Sequence, residues 1–148
     1  MNAVQLLKRD HKEVAALFEE FKEAEESDKP AIAEQICQRL TVHARIEEEL
    51  LYPAAREALA EEDEDLVDEA AVEHATVKEL LSQIEAGSES DELYEAKVKV
   101  LGEYVTHHVN EEERELFPRL AETDFDLEAL GESLARRKGE LLGAHEDA

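Results

Sequence analysis

Apolar residues recur at alternating steps of three and four along most of the chain. In residues 3–26 the pattern runs through Val4, Leu7, His11, Val14, Phe18 and Phe21. This spacing places one stripe of side chains on one face of an α-helix, and it is the period of helices packed in bundles. The same period fills residues 31–59, 66–86 and 90–121. The pattern predicts four long helices in one bundle.

A fifth amphipathic stretch follows the break at residues 123–126 and carries Leu127, Leu130, Leu134 and Leu141 on one side. The predicted fold is therefore all-α: an up-down-up-down four-helix bundle with an additional C-terminal helix. We expect the bundle to occupy residues 1–122 and the C-terminal helix with its short tail to occupy residues 123–148.

Signals for helix ends support these boundaries. Asn2 suits an N-cap, and Pro30 suits the first turn of the second helix. Gly87 suits the end of the third helix. Pro53 and Pro118 lie inside the second and fourth helices, where proline cannot donate the usual backbone hydrogen bond. We expect a kink or a loosened turn at both prolines.

Polar residues interrupt the apolar stripes at six positions that repeat between the two halves of the chain. Each half has one histidine on its first helix and a His-x-x-x-Glu turn on its second, followed at a fixed distance by an aromatic residue and proline. The six residues are His11, His43, Glu47, His74, His108 and Glu112. Because all six share the stripes that face the bundle interior, we expect them to converge in its middle.

Six such groups in an apolar interior indicate metal binding. A buried carboxylate without compensation costs several kcal/mol, and the stripes carry no lysine or arginine beside Glu47 and Glu112. Divalent cations would neutralise both carboxylates. Imidazole nitrogen with carboxylate oxygen suits first-row ions such as iron, whereas calcium takes oxygen ligands and a structural zinc site needs only four. A lone core histidine would more often be a packed residue, but the matched set favours a pair of metal ions.

The set resembles the hemerythrin-like, or HHE cation-binding, domain over residues 3–121. That resemblance implies a non-heme di-iron centre, two iron ions with an oxo or hydroxo bridge. It implies that Glu47 and Glu112 are bridging carboxylates and that the terminal ligands are His11, His43, His74 and His108. The oxygen-carrying hemerythrins have a fifth histidine where this chain has Lys78, and they space the last ligand pair one residue wider and end it with aspartate. The chain is more similar to bacterial members with symmetric halves.

Other residues near the six have secondary predicted roles. Tyr104, one helical turn before His108, is a candidate additional ligand, with a tyrosine packed at the core edge as the alternative. His107 points about 100° away from His108 on a helix, which is typical of a surface residue or of a partner of a ligand. Glu48 and Glu113 are expected to be solvated or to orient ligand imidazoles. Tyr52 and Phe117 are expected to close one end of the bundle.

Charge and composition narrow the classes of partner. The formal net charge of -24 disfavours binding to nucleic acid and to anionic membrane surfaces. Cys37 is the single cysteine, so an intrachain disulfide is excluded. Neither a signal peptide nor a transmembrane stretch is recognisable, and we expect a cytoplasmic protein. The oligomeric state is not indicated by the sequence.

Three functions fit a di-iron centre of this kind. Removal of hydrogen peroxide by a catalase-like oxidoreductase is the favoured one. Reversible binding or sensing of dioxygen or nitric oxide is the second, and storage of iron or its donation for cluster repair is the third. An interaction module with an empty polar core is the least favoured reading. The expected partners are therefore small molecules.

Overall fold

A computed structural model describes the backbone of residues 1–87 and 91–147, and the side chains of the same ranges up to residue 143. Within these ranges the chain forms helices and no strands. The elements are α1 (Ala3–Glu23), α2 (Lys29–Ile46), a first π-helical turn (Glu47–Leu51), α3 (Tyr52–Ala58), a short 3-10 turn (Glu61–Asp63), α4 (Glu64–Ala86), α5 (Tyr94–Glu111), a second π-helical turn (Glu112–Leu116), α6 (Phe117–Ala121) and α7 (Leu127–Asp147).

The helices form two hairpins that pack into one bundle. Helix α1 packs on α2 and α4 packs on α5, while contacts of α2 with α4 and of α1 with α5 close the bundle. Helix α7 lies against α1 and α2. The predicted all-α bundle with an additional C-terminal helix is confirmed. The boundary at residue 122 stays a prediction, and the predicted start of the fourth helix at Ser90 lies outside the described residues.

The start of α1 follows the local signal in the sequence. The Asn2 side chain accepts a hydrogen bond from the Gln5 backbone N–H at 2.9 Å, and the Gln5 side chain accepts one from the Asn2 backbone N–H at 3.0 Å. Such a reciprocal capping box satisfies two backbone donors that would otherwise lack partners at a helix start. The predicted cap at Asn2 is confirmed.

Both interior prolines are preceded by a π-helical turn that starts at a glutamate of the predicted metal site. The Tyr52 N–H donates to the Glu47 carbonyl and the Phe117 N–H donates to the Glu112 carbonyl, five residues back in each case. Pro53 and Pro118 cannot donate, so the helix absorbs an extra residue and then continues. The loosened turn expected at each proline is therefore a π turn in both halves.

Apolar side chains form two clusters, one toward each end of the bundle. One cluster contains Leu51, Tyr52, Phe117 and Leu120, and the other contains Val14, Ile36, Leu81 and Leu101. The six polar residues of the repeat lie along the same helices between these clusters. None of the described helices is both long and apolar enough to cross a membrane.

Candidate metal centre

The structure brings all six repeat residues together in the bundle interior. Each of them is at most 8% exposed, and they are His11, His43, Glu47, His74, His108 and Glu112. Helices α1 and α4 each supply one histidine. Helices α2 and α5 each supply a histidine near their C-terminal ends, and the following π turns begin with the two glutamates. Three donors therefore come from each hairpin.

The six side chains form two groups that share both carboxylates. His11 and His43 form the first group with Glu47 and Glu112, and His74 and His108 form the second with the same two glutamates. Within each group one possible ligand atom from every residue lies within 4.8 Å of the others. Each group could hold a metal ion with two imidazoles of its own and two carboxylates that are common to both groups.

The Nε2 atoms of the four histidines point toward the carboxylates. Glu47 Oε1 lies 2.9 Å from His74 Nε2 and 3.3 Å from His43 Nε2. Glu112 Oε2 lies 3.0 Å from His108 Nε2, and its Oε1 lies 3.3 Å from His11 Nε2. The Nε2 atoms of His74 and His108 are 3.2 Å apart.

The Nδ1 atoms face a second set of carboxylates outside the centre. Nδ1 of His43 donates to Asp10 at 3.1 Å, and Nδ1 of His108 donates to Glu73 at 2.8 Å. Each of these two pairs lies within one hairpin. The other two pairs join the hairpins, because Glu113 lies 2.7 Å from Nδ1 of His11 and Glu48 lies 3.7 Å from Nδ1 of His74.

These outer carboxylates determine which nitrogen of each imidazole carries a proton and which one can bind a metal. An ionised carboxylate only accepts hydrogen bonds, so an Nδ1 atom beside it carries the proton. The Nε2 atom of the neutral ring then presents a lone pair to the interior. Carboxylate–imidazole pairs of this kind orient metal-binding histidines and increase their basicity. Asp10 and Glu73 immediately precede His11 and His74 in the sequence, and each serves the histidine of the neighbouring helix.

The atoms left without partners test whether a metal fits. Among the described side chains, the buried atoms without a hydrogen-bond partner include His11 Nε2, His43 Nε2, Glu47 Oε2 and Glu112 Oε1. These are lone-pair donors crowded against one another, and their mutual repulsion requires a positive charge between them. Mixed imidazole and carboxylate donors suit first-row transition metals. The residues therefore fit a pair of divalent cations.

Protons would supply the positive charge in metal-free protein. Burial alone would lower the pKa of His43, but the charge of Glu47 and hydrogen bonds to Asp10 and Glu47 raise it to about 10. Burial likewise opposes protonation of His108, yet Glu112 and Glu47 raise its pKa to about 12. Burial alone would raise the pKa of Glu47, and the surrounding imidazoles instead hold it well below its ordinary value.

Tyr52 packs in the apolar cluster toward one end of the bundle, and its hydroxyl also reaches the donors, which the sequence did not indicate. Its hydroxyl oxygen lies 2.9 Å from His74 Nε2, and it donates to Glu112 Oε2 at 3.0 Å. Burial raises the pKa of Tyr52 well above its ordinary value, and the charges of Glu47 and Glu112 raise it further. Tyr52 therefore keeps its proton in metal-free protein, and its oxygen is a further atom that could contact a bound cation.

The π turn explains why the helical period did not indicate this tyrosine. Five residues of α-helix turn a side chain by about 140° relative to its starting direction. In a π turn, with roughly 4.4 residues per turn, five residues return it to within about 50°. Tyr52 follows Glu47 by five residues and so points back to the same interior.

The other candidates lie elsewhere. Tyr104 is 47% exposed on the surface of α5, apart from the buried donors. His107 is exposed, with Nε2 3.3 Å from Glu73 and 3.1 Å from Glu111. Phe117 stacks on the His11 ring with centroids 6.0 Å apart. Lys78 forms an ion pair with Glu48 at the surface.

Several known proteins are similar in sequence to this chain. A Nostoc sp. strain PCC 7120 protein named DNA nickase is 38% identical over 121 residues, which are 79% of this chain and 33% of that protein. The chain thus spans about a third of that relative. The uncharacterized proteins Rv2633c of Mycobacterium tuberculosis and Mb2666c of Mycobacterium bovis are 29% identical over 97% of this chain and 89% of their own length.

A solved structure is also similar to this chain. It is the crystal structure of a hemerythrin HHE cation binding domain-containing protein, a homolog of Rv2633c from Mycobacterium kansasii. It matches with a TM-score of 0.82 and 29% identity over 97% of this chain and 89% of that one. The sequence profile described as the hemerythrin HHE cation binding domain matches residues 2–120. The chain therefore belongs to the hemerythrin HHE cation binding domain family.

Proposed function

We propose that the chain is a non-heme di-iron protein that removes hydrogen peroxide in a catalase-type reaction. The observation that carries this proposal is the pair of donor groups sharing Glu47 and Glu112. Two carboxylates common to both groups would hold two ions at a short, fixed separation, which suits a reaction that moves two electrons at once.

The number of protein donors supports a reactive centre. Each group offers two imidazole nitrogens and two carboxylate oxygens. Iron commonly takes six ligands, so about two positions at each ion would stay open to solvent-derived or substrate ligands. Two bound irons would supply the redox equivalents of the cycle. One hydrogen peroxide takes up two electrons and two protons to give two waters, and a second releases two electrons and two protons and leaves as dioxygen.

The chain's own residues would orient the ligand imidazoles, exclude water from the centre and place a proton beside it. Asp10, Glu73 and Glu113 hold the imidazole rings by their Nδ1 protons, which limits rotation of the ligands. The apolar clusters on either side keep bulk water from the interior. The Tyr52 hydroxyl, which donates to Glu112, places a proton next to the bridging carboxylate.

Oxygen release tests the proposal. We expect iron-loaded protein to evolve one dioxygen for every two hydrogen peroxide molecules, measured with an oxygen electrode. Glu47→Ala and Glu112→Ala should abolish the release because each removes a carboxylate shared by both groups. Glu115→Ala, an exposed residue of the same π turn as Glu112, is the matched control and should keep the activity. Undiminished oxygen release by metal-free protein would contradict the proposal.

Gas binding and iron handling would use the same centre. The exposed ion pair of Lys78 with Glu48 points that lysine away from the donors, which disfavours a carrier of the hemerythrin type. A spectrum that changes reversibly under cycles of dioxygen and vacuum, without peroxide turnover, would favour binding or sensing. Iron that leaves quickly to a chelator would favour storage or donation for cluster repair.

The DNA nickase name belongs to a protein three times as long as the matched region, so the named activity is that of a much longer chain. A formal net charge of -24 opposes approach to a polyanion. We propose small molecules, not nucleic acid, as the partners of the centre.

A further inference from the structure

The C-terminal helix α7 reaches the candidate metal centre through one buried ion pair. Lys138 Nζ lies 2.5 Å from Asp10 Oδ1, and the Asp10 Oδ2 atom accepts the hydrogen bond from His43 Nδ1 at 3.1 Å. The Lys138 side chain is 14% exposed and the Asp10 side chain is 5% exposed. A continuous chain of contacts thus runs from α7 through α1 to an imidazole of α2.

We propose that Lys138 is a positioning residue for the cation held by His11 and His43, so that docking of α7 and occupation of that position are coupled. This inference rests on the proposed di-iron function. The ammonium group fixes one oxygen of Asp10, and the other oxygen fixes the direction of the His43 ring. The family profile matches residues 2–120, so Lys138 lies outside the matched region.

The second hairpin lacks an equivalent of this contact among its described side chains. Glu73, which corresponds to Asp10 in the repeat, has its second oxygen 3.3 Å from the exposed His107. The other lysine near the centre is Lys78, paired with Glu48, but these side chains are 53% and 33% exposed. The Glu48 carboxylate lies 3.7 Å from His74 Nδ1, beyond hydrogen-bond distance.

The two lysines differ in burial, and this difference determines how strongly each can affect the orientation of an imidazole ring. Water and salt screen an exposed ion pair, so the Lys78–Glu48 pair should contribute little to ring orientation. The Lys138–Asp10 pair is screened much less, and removing the ammonium would leave a buried carboxylate with only His43 as a partner. Asp10 would then turn toward water or draw water inward, and His43 would lose its fixed direction.

Further contacts hold α7 at the distance this pairing requires. Helix α7 approaches the start of α1 so closely at Gly131 that an added Cβ would lie 2.4 Å from the Met1 carbonyl oxygen. Arg137, the residue before Lys138, contacts both oxygens of Glu49 at 2.9 and 3.2 Å. The position of Lys138 is therefore set by the docked helix and not by its own side chain alone.

Iron release from three variants tests the inference. Protein loaded with two Fe(II) ions per chain would be mixed with excess chelator without oxygen, and release would be followed by absorbance. In Lys138→Met we expect one of the two ions to leave about tenfold faster, the lower end of the effect of losing a residue that orients a ligand. Lys138→Arg should restore slow release. Lys78→Met, the matched exposed control, should change release by less than about twofold.

Hydrogen exchange supplies a second readout that does not depend on activity. Iron loading should slow amide exchange in α7 of the wild-type chain because occupation of the His11–His43 position holds Asp10 and Lys138 together. In Lys138→Met, loading should no longer change α7 exchange while α4 and α5 still respond. This pattern would show coupling through Lys138 and not a general loss of stability.

The outcomes separate this inference from the proposed function. Equal release from Lys138→Met and Lys78→Met, or equal acceleration of both ions, would overturn the positioning role. Two tightly held irons without oxygen release from peroxide would contradict the catalase proposal and leave the role of Lys138 intact. A wild-type chain that binds no iron would overturn both.

Discussion

Removal of the metal should give the protein a stability that falls steeply as the pH rises above neutrality. The cause lies in the crowded donors, whose negative charge must be balanced by protons when no cation is present. The pKa of His43 is raised from 6.5 to about 10 and that of His108 from 6.5 to about 12. A group with a raised folded-state pKa stabilises the fold fully below its unfolded pKa and loses that contribution as the pH rises through its folded pKa.

The size of the effect follows from the number of retained protons. Between pH 7 and 8.5 the unfolded chain has mostly neutral histidines, whereas the folded metal-free protein keeps protons on His43 and His108. Each retained proton lowers the free energy of unfolding by about 1.4 kcal/mol per pH unit, so two lower it by about 2.7 kcal/mol per unit. Over the whole interval the loss is about 4 kcal/mol. The lowered pKa of Glu47 does not affect stability between pH 7 and 8.5, because the stability that it provides is lost only as the pH falls below about 4.5.

Urea unfolding of chelator-treated protein measures this slope. With an m-value of about 2 kcal/mol per molar, the midpoint should fall by about 2 M between pH 7 and pH 8.5. Iron-loaded protein should show almost no slope in the same interval, because its imidazoles bind metal without a proton. His43→Gln should remove about half of the slope, and His107→Gln, which changes an exposed histidine, should keep it. Constant or rising stability of the metal-free protein over this interval would show that His43 and His108 do not retain their protons in the folded state.

Three further changes have expected outcomes of their own. Gly131→Ala should cost about 1–3 kcal/mol of unfolding free energy in urea, because its Cβ would meet the backbone of Met1 and Asn2, whereas Gly139→Ala, where nothing lies within 4 Å, should be neutral or slightly stabilising. Tyr52→Phe removes the hydroxyl that contacts Glu112 and His74 and should speed iron release to a chelator by about tenfold or more; unchanged release would exclude a role for that oxygen. Cys37 is buried, and burial raises the pKa of its thiol to about 11. Iodoacetamide at pH 8 should therefore modify the folded protein about a hundredfold more slowly than the unfolded protein, and comparable rates would contradict this.

The helices and the meeting of the six repeat residues were accessible from the sequence because both depend on periodicity. A histidine or glutamate on the apolar stripe of a helix must point inward with its neighbours, and the repeat placed three such residues on each hairpin. The structure brings these residues together, and their role as ligands stays a prediction that metal analysis can test. The backbone step of 3.6 residues was sufficient as long as the helices stayed regular.

The π turns mark where that reasoning failed. They rotate the chain between Glu47 and Tyr52, so the regular helical period did not indicate that the Tyr52 hydroxyl reaches the donors. Tyr104 was the candidate tyrosine because it lies one regular turn before His108. The partners of the imidazoles depend on side-chain reach between helices, which spacing does not specify. The sequence did not indicate that Asp10 contacts His43. It offered Glu113 as a carboxylate that could orient an imidazole, but it did not indicate that this imidazole is His11 of the other hairpin.

The sequence contains a signal for the docking site of α7, which becomes visible when equivalent positions of the two repeats are compared. Leu6, Val42 and Ile46 belong to one buried cluster with Leu130, Leu134 and Leu141 of α7. The corresponding positions of the second hairpin, counted from the paired histidines, are Glu69, His107 and Glu111. Apolar residues in one half and polar residues in the other indicate that only the first hairpin is covered.

Metal analysis of protein purified from iron-fed cells would show whether the six buried donors hold two ions. We predict two irons per chain, near-ultraviolet absorption bands that change when peroxide is added, and loss of the metal in Glu47→Ala and Glu112→Ala. Protein that contains no metal, or that keeps both irons after loss of these carboxylates, would contradict a centre built on two shared bridges.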